Sequence, residues 1–226
     1  MKTIGLIGGT GWISTAEYYR IINEETNKRL GGLNFAKCIL YSIDYGEVDK
    51  FNKENDKAGV YNLIYQASQK IISAGADCLV ICANTLHQFA DDLEKEINIP
   101  LIHIAGATAR EIHLKGVRKV GLLGTKQTME MDFYRKKLKD ENIEVNVPGQ
   151  DDRDFIQHTI SNELLKGLLT RESKNRFLEI IQKLDHDGAQ GIVLGCTEIP
   201  LLINQEDLEL PLFNTLTIHA LATVDF

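Results

Sequence analysis

Residues 75–85 read GADCLVICANT and residues 188–198 read GAQGIVLGCTE. Laid over one another without a gap, they pair Gly75 with Gly188, Ala76 with Ala189, Leu79 with Ile192 and Val80 with Val193. Each is a short apolar run ending in small polar residues, the pattern of a buried strand that delivers its last side chains to a site. The same alignment sets Asn84 against Thr197 and Ala83 against Cys196. Two such strand ends imply two halves addressing one cleft, with a thiol on one side and only a methyl group on the other.

The echo extends outward. Lys2–Gly8 (KTIGLIG) matches Lys119–Gly124 (KVGLLG) once Thr3 is skipped, and each copy is followed by Tyr-Arg on a helical pattern, Tyr19-Arg20 and Tyr134-Arg135. Each half then closes on an acidic helix and a proline-led strand, NIPLIHI at 98–104 and ELPLFN at 209–214. Matches in the same order at nearly constant offset point to a duplicated unit. Strands are expected at 3–8, 36–43, 77–83, 99–104, 118–124, 142–147, 190–196 and 210–214, alternating with amphipathic segments. That alternation predicts βαβ units and parallel sheets. A helix is expected over 14–30, with Ser14 and Thr15 as N-cap residue types. Another is expected over 57–74, with Val60, Leu63, Ile64, Ala67, Ile71 and Ile72 at helical spacing. The domains implied are 1–105 and 106–214, with the last helix, 215–226, returning to complete the first.

The bulk numbers narrow the function. A chain of 226 residues that is 43% hydrophobic and 25% charged has the composition of an ordinary soluble globular protein. A net charge of −7 without Lys/Arg clusters argues against a nucleic-acid surface. No apolar run approaches the roughly 18–20 residues of a membrane span. The start, MKTIGLIGGTG, lacks a signal-peptide pattern. Four cysteines without metal-ligand spacing suggest reduced thiols in a cytoplasm, and no metal.

In open α/β sheets ligands bind beyond the carboxyl ends of the strands, where Gly8–Thr10, Ala83–Thr85, Gly124–Thr125 and Cys196–Glu198 fall. Backbone N–H groups at a following helical turn would lower the pKa of Cys196 and favour its thiolate. Cys38 and Cys78, inside strands, read as packing, and so does Cys82, which alternation turns away from the face of Ala83. Asn84, Thr85 and Thr197 suit a carboxylate, which wants several converging donors, although the same residue types also cap helices. The GGTGW turn at 8–12 is not a dinucleotide fingerprint, because Ser14 stands where the third glycine is needed. It suits a backbone nest for a small anion. His87 and His219 could reach the site or pack on their own domain.

The motifs GGTGWIST (8–15), NTLH (84–87), GLLGT (121–125), GCTEIP (195–200) and PLFNTLTIHA (211–220) together resemble those of the aspartate/glutamate racemase family along the whole chain. The resemblance implies two similar α/β domains with mainly parallel sheets, related by pseudo-twofold symmetry around one active site. It implies interconversion of L- and D-aspartate or glutamate without any cofactor, and a homodimer. In such enzymes one thiolate and one thiol flank the substrate, so that a proton leaves one face of Cα and returns to the other. By position, Cys196 is the second-domain acid/base and Ala83 the place of the missing first one. Asn84, Thr85 and Thr197 are implied as α-carboxylate donors, Thr10, Ser14 and Thr15 as contributors to substrate binding, and Glu163 and Lys166 as further site residues.

Two departures stand out. Most relatives have cysteine, and some threonine, where this chain has Ala83, and relatives commonly have aspartate at Asn214. Alanine holds no titratable proton, so activity is expected to be impaired. Three accounts of Ala83 stay open: a deliberate Cys→Ala replacement, a natural enzyme with another proton donor, or a non-catalytic binder of acidic amino acids. A cysteine-dependent isomerase or decarboxylase of another dicarboxylate is a further alternative.

Overall fold

The computed structural model describes all 226 residues. The chain forms two compact units, residues 1–104 with 219–226, and residues 105–218.

The first unit is built on β1 (Thr3–Gly8), β2 (Lys37–Ser42), β3 (Cys78–Ile81) and β4 (Leu101–Ile102), all parallel, in the order β2-β1-β3-β4. The second uses β5 (Lys119–Gly124), β6 (Glu144–Asn146), β7 (Ile192–Gly195) and β8 (Leu212–Asn214), also parallel, in the order β6-β5-β7-β8. All eight expected strands are present, and the two sheets repeat one topology, as the duplicated sequence requires. The central strands are buried along their length, which is why they read as unbroken apolar runs rather than alternating ones.

Helices cover the sheets for the same reason. In α1 (Trp12–Leu30), Tyr18, Ile21 and Ile22 face inward. After α2 (Tyr45–Lys53), α3 (Lys57–Ser73) presents Val60, Ile64, Ala67 and Ile71 on one buried stripe against Ile7, Leu79 and Ile81. The helix start is set by Asp56, whose Oδ1 accepts from the Gly59 N–H at 2.8 Å. Between β3 and β4 lie a 3₁₀ turn (Thr85–Phe89) and α4 (Ala90–Glu96). In the second unit α6 (Lys126–Glu130) and α7 (Asp132–Asp140) join β5 to β6, and α8 (Gln150–Asn162) and α9 (Arg171–His186) join β6 to β7. Burying Phe177, Ile180, Ile181 and Leu184 of α9 contributes about 1.5–3 kcal/mol each.

Two helices carry the chain across the unit boundary. α5 (Ile104–Leu114) begins at the last residue of the first unit, and α10 (Thr215–Asp225) begins in the second and ends in the first. The Thr215 hydroxyl donates to the Leu194 carbonyl at 2.8 Å and so ties the start of α10 to β7.

One local expectation is corrected. α1 starts at Trp12, two residues before the predicted start, with Gly11 at the N-cap and no side-chain cap. Thr15 lies inside the first turn, where its hydroxyl donates to the Gly11 carbonyl at 3.0 Å and accepts the Gly9 N–H at 3.0 Å. It therefore closes the turn that leaves β1 instead of capping the helix from outside. No helix is long and apolar enough to cross a membrane.

Candidate active site

In the first unit the adjacent strands β1 and β3, with Ile7 opposite Ile81, bring two loop starts side by side. The turn after β1 depends on Gly9. Its φ of +101° disfavours any residue with a side chain, and an added Cβ would lie 2.0 Å from the Ile43 carbonyl oxygen. Thr10 is half-buried just beyond this turn, and Ser14 and Thr15 are buried beside it. After β3 the chain turns sharply, with the Ala83 N–H donating to the Ile81 carbonyl at 2.8 Å. Ala83 and Thr85 are half-buried and Asn84 is buried. Thr10, Ser14 and Thr15 thus stand at one strand end, and Ala83, Asn84 and Thr85 at its neighbour. Cys82 is buried with its thiol pushed far up by desolvation, and its backbone N–H donates to the Ile7 carbonyl, so it is a packing residue. His87 and His219 both turn into the core of this unit.

In the second unit β5 and β7 end level, Gly124 opposite Gly195. A Cβ on Gly195 would meet the Leu123 carbonyl oxygen at 2.9 Å, so a side chain is excluded where the strands must stay close ahead of the thiol. Cys196 follows at once and is only 7% exposed. Its Sγ donates to Glu198 Oε2 at 3.0 Å, and the Thr197 hydroxyl donates to the same oxygen at 2.8 Å. Glu198 is itself buried.

This arrangement reverses the expected direction of the thiol's acidity. The backbone N–H groups of Glu198 and Ile199 do favour the thiolate, as the turn suggested. Desolvation and the adjacent Glu198 carboxylate outweigh them and hold the Cys196 pKa well above that of an ordinary thiol. Cys196 therefore rests as a protonated thiol whose proton points at a carboxylate. The Glu198 carboxylate is a candidate site residue that sequence reasoning passed over. The signal lay in GCTE itself, where an acidic side chain two residues after a strand-end thiol can fold back onto the sulfur.

Glu163 and Lys166 lie in the α8–α9 connection. Glu163 Oε2 accepts from the Ser173 hydroxyl at 2.7 Å and the Thr170 hydroxyl at 3.2 Å, so this carboxylate fastens the start of α9. Lys166 is exposed, in a 3₁₀ turn (Leu164–Lys166) that ends at Gly167 with φ of +72°. No three His, Cys, Asp or Glu side chains are grouped to hold a metal ion.

A profile of the family described as Asp/Glu/Hydantoin racemase matches residues 7–223. Among solved structures, a Yersinia pestis protein assigned as an Asp/Glu racemase is 44% identical, with a TM-score of 0.95 over 100% of this chain and 98% of its own. An aspartate racemase homologue from Pyrococcus horikoshii is 36% identical, with a TM-score of 0.87 over 100% of this chain and 98% of its own. The broad specificity amino-acid racemase RacX of Bacillus subtilis is 24% identical over 98% of this chain and 96% of its own length.

Proposed function

Because this chain belongs to the Asp/Glu/Hydantoin racemase family, we propose that it acts on aspartate or glutamate at Cα without a cofactor. The observation that carries the reading is the buried Cys196 thiol held on Glu198 at 3.0 Å. Glu198 accepts the thiol proton, and the thiolate so formed removes the α-proton of the amino acid. The electron pair left on carbon delocalises into the α-carboxylate, so donors on that carboxylate stabilise the carbanion. Asn84, Thr85 and Thr197 fill that role, supported by Thr10, Ser14 and Thr15 at the end of β1. Lys166 supplies a cation for the distal carboxylate, and Glu163 holds the turn that presents it.

Full racemisation needs a second group on the opposite face, and Ala83 offers none. The chain is therefore a one-base enzyme, impaired in inversion but able to exchange the α-proton on the face that Cys196 serves. In this reading the domains are 1–105 with 215–226 and 106–214, and the protein works as a homodimer in the cytoplasm. Ala83 also favours a second reading, a binder of acidic amino acids that performs no chemistry.

The test is to incubate each enantiomer of aspartate and glutamate with the protein in deuterium oxide. One enantiomer is expected to gain deuterium at Cα with retention, at least about 100-fold faster than the other enantiomer accumulates. Exchange absent from all four amino acids would refute the enzyme, and binding without exchange would establish the binder.

A further inference from the structure

We infer that His87 is a positioning residue for the backbone donors at the carboxyl end of β3, acting through the Ala83 carbonyl as a neutral ring with its proton on Nδ1. The inference deepens the reading above, in which the 83–85 segment holds the substrate carboxylate. His87 is 1% exposed, and its two ring nitrogens meet partners of opposite kind. Nδ1 lies 2.7 Å from the Ala83 carbonyl oxygen, which can only accept, so Nδ1 carries hydrogen. The Ile104 backbone N–H donates to Nε2 at 3.2 Å, so Nε2 is bare. Neither partner can exchange roles, so these two backbone groups select the tautomer.

The consequence reaches the site through the peptide plane. The Ala83–Asn84 peptide is rigid, so fixing the direction of the Ala83 C=O fixes that of the Asn84 N–H, which points the opposite way. The preceding peptide is fixed separately, by the Ala83 N–H donating to the Ile81 carbonyl at 2.8 Å, and the His87 ring holds the peptide that follows through the Ala83 carbonyl.

The support for His87 is anchored in turn. Ile104 lies two residues beyond Ile102, the last residue of β4, whose carbonyl is 2.6 Å from His219 Nε2. A carbonyl demands a donor, so His219 carries its proton on Nε2, and its Nδ1 accepts the Tyr18 hydroxyl at 2.8 Å. His219 and Tyr18 are fully buried. Two imidazoles in opposite tautomers, with ring centroids 5.4 Å apart, therefore grip the corner from β4 into α5 at both ends.

The test exploits the fact that asparagine mimics the Nδ1 side of histidine and glutamine the Nε2 side. His87→Asn keeps a donor to Ala83 and loses the Ile104 contact; His87→Gln does the reverse. Each loses one hydrogen bond, so a merely structural role weakens both alike. Positioning separates them: by calorimetry the asparagine variant should bind aspartate or glutamate within about threefold of the parent, and the glutamine variant about tenfold or more weaker. The Asn84 amide resonance should move in His87→Gln and stay in His87→Asn. Nitrogen-15 spectra of the parent should show a neutral His87 protonated on Nδ1. Equal binding losses, an Asn84 amide unmoved in both, or an Nε2-protonated or charged His87 would each overturn the inference. If neither amino acid binds the parent chain, the proposed function fails, and the His87 tautomer with the Asn84 amide still decides this inference.

Discussion

Replacing Glu198 by glutamine should make Cys196 a stronger acid and the protein a poorer catalyst. Glutamine keeps the shape and an acceptor oxygen and removes the charge. In the parent, the carboxylate opposes the thiolate both as a neighbouring negative charge and as the acceptor of the S–H at 3.0 Å. Hydrogen bonds to charged groups are worth about 1.5–3 kcal/mol, so losing the one that holds the proton on sulfur should make the thiol titrate at lower pH. Both residues are buried, so solvent screening takes little from this figure. Thiolate absorbance near the ultraviolet edge, followed against pH with Cys196→Ser as the blank, reads the midpoint directly and needs no reagent to reach the sulfur. Exchange of the α-proton should meanwhile fall by about 10²–10⁴, the usual contribution of a positioned proton acceptor. The opposite signs are the point, since a role confined to packing would harm catalysis without making the thiol more acidic. A midpoint that is unchanged or higher in Glu198→Gln would refute the reasoning.

Other consequences follow from the same residues. Ala83→Cys should raise racemisation by at least about 100-fold by restoring a proton donor on the second face; intact ligand binding with no gain would sink the two-thiol reading. Gly9→Ala should destabilise the fold by about 1–3 kcal/mol in urea unfolding, because it adds strain at φ +101° to an overlap with the Ile43 carbonyl. Burial raises the Cys78 thiol from 9.0 to about 11. The folded chain therefore keeps a proton that the unfolded chain has lost, and this share of stability is present below about pH 9 and lost as pH rises towards 11, about 2.7 kcal/mol at most. Cys78→Ala should flatten that alkaline slope in thermal melts, and an unchanged slope would contradict it.

The repeat made most of the fold legible. GADCLVICANT and GAQGIVLGCTE carry their own strand signal, since parallel strands buried on both faces are apolar throughout. The helical stripe of Val60, Ile64, Ala67 and Ile71 was equally plain. Local chemistry was less so. Ser14 and Thr15 are good cap types, yet the turn required by Gly9 used the Thr15 hydroxyl from within the helix. The family resemblance implied Glu163 as a further site residue, and only the structure shows that its carboxylate meets the hydroxyls of Ser173 and Thr170, which no spacing rule pairs with it.

Pattern along the chain determined the duplicated α/β architecture, the strand ends that carry the candidate residues, and the asymmetry between Cys196 and Ala83. These depend on residue type and period, which are local quantities. Only the tertiary structure decided the protonation of Cys196 and the tautomers of His87 and His219. Those depend on how much water is excluded and on which carbonyl, amide or carboxylate arrives from elsewhere in the chain. The turn after β7 supplies N–H groups that favour a thiolate, but burial and the folded-back Glu198 carboxylate reverse that preference.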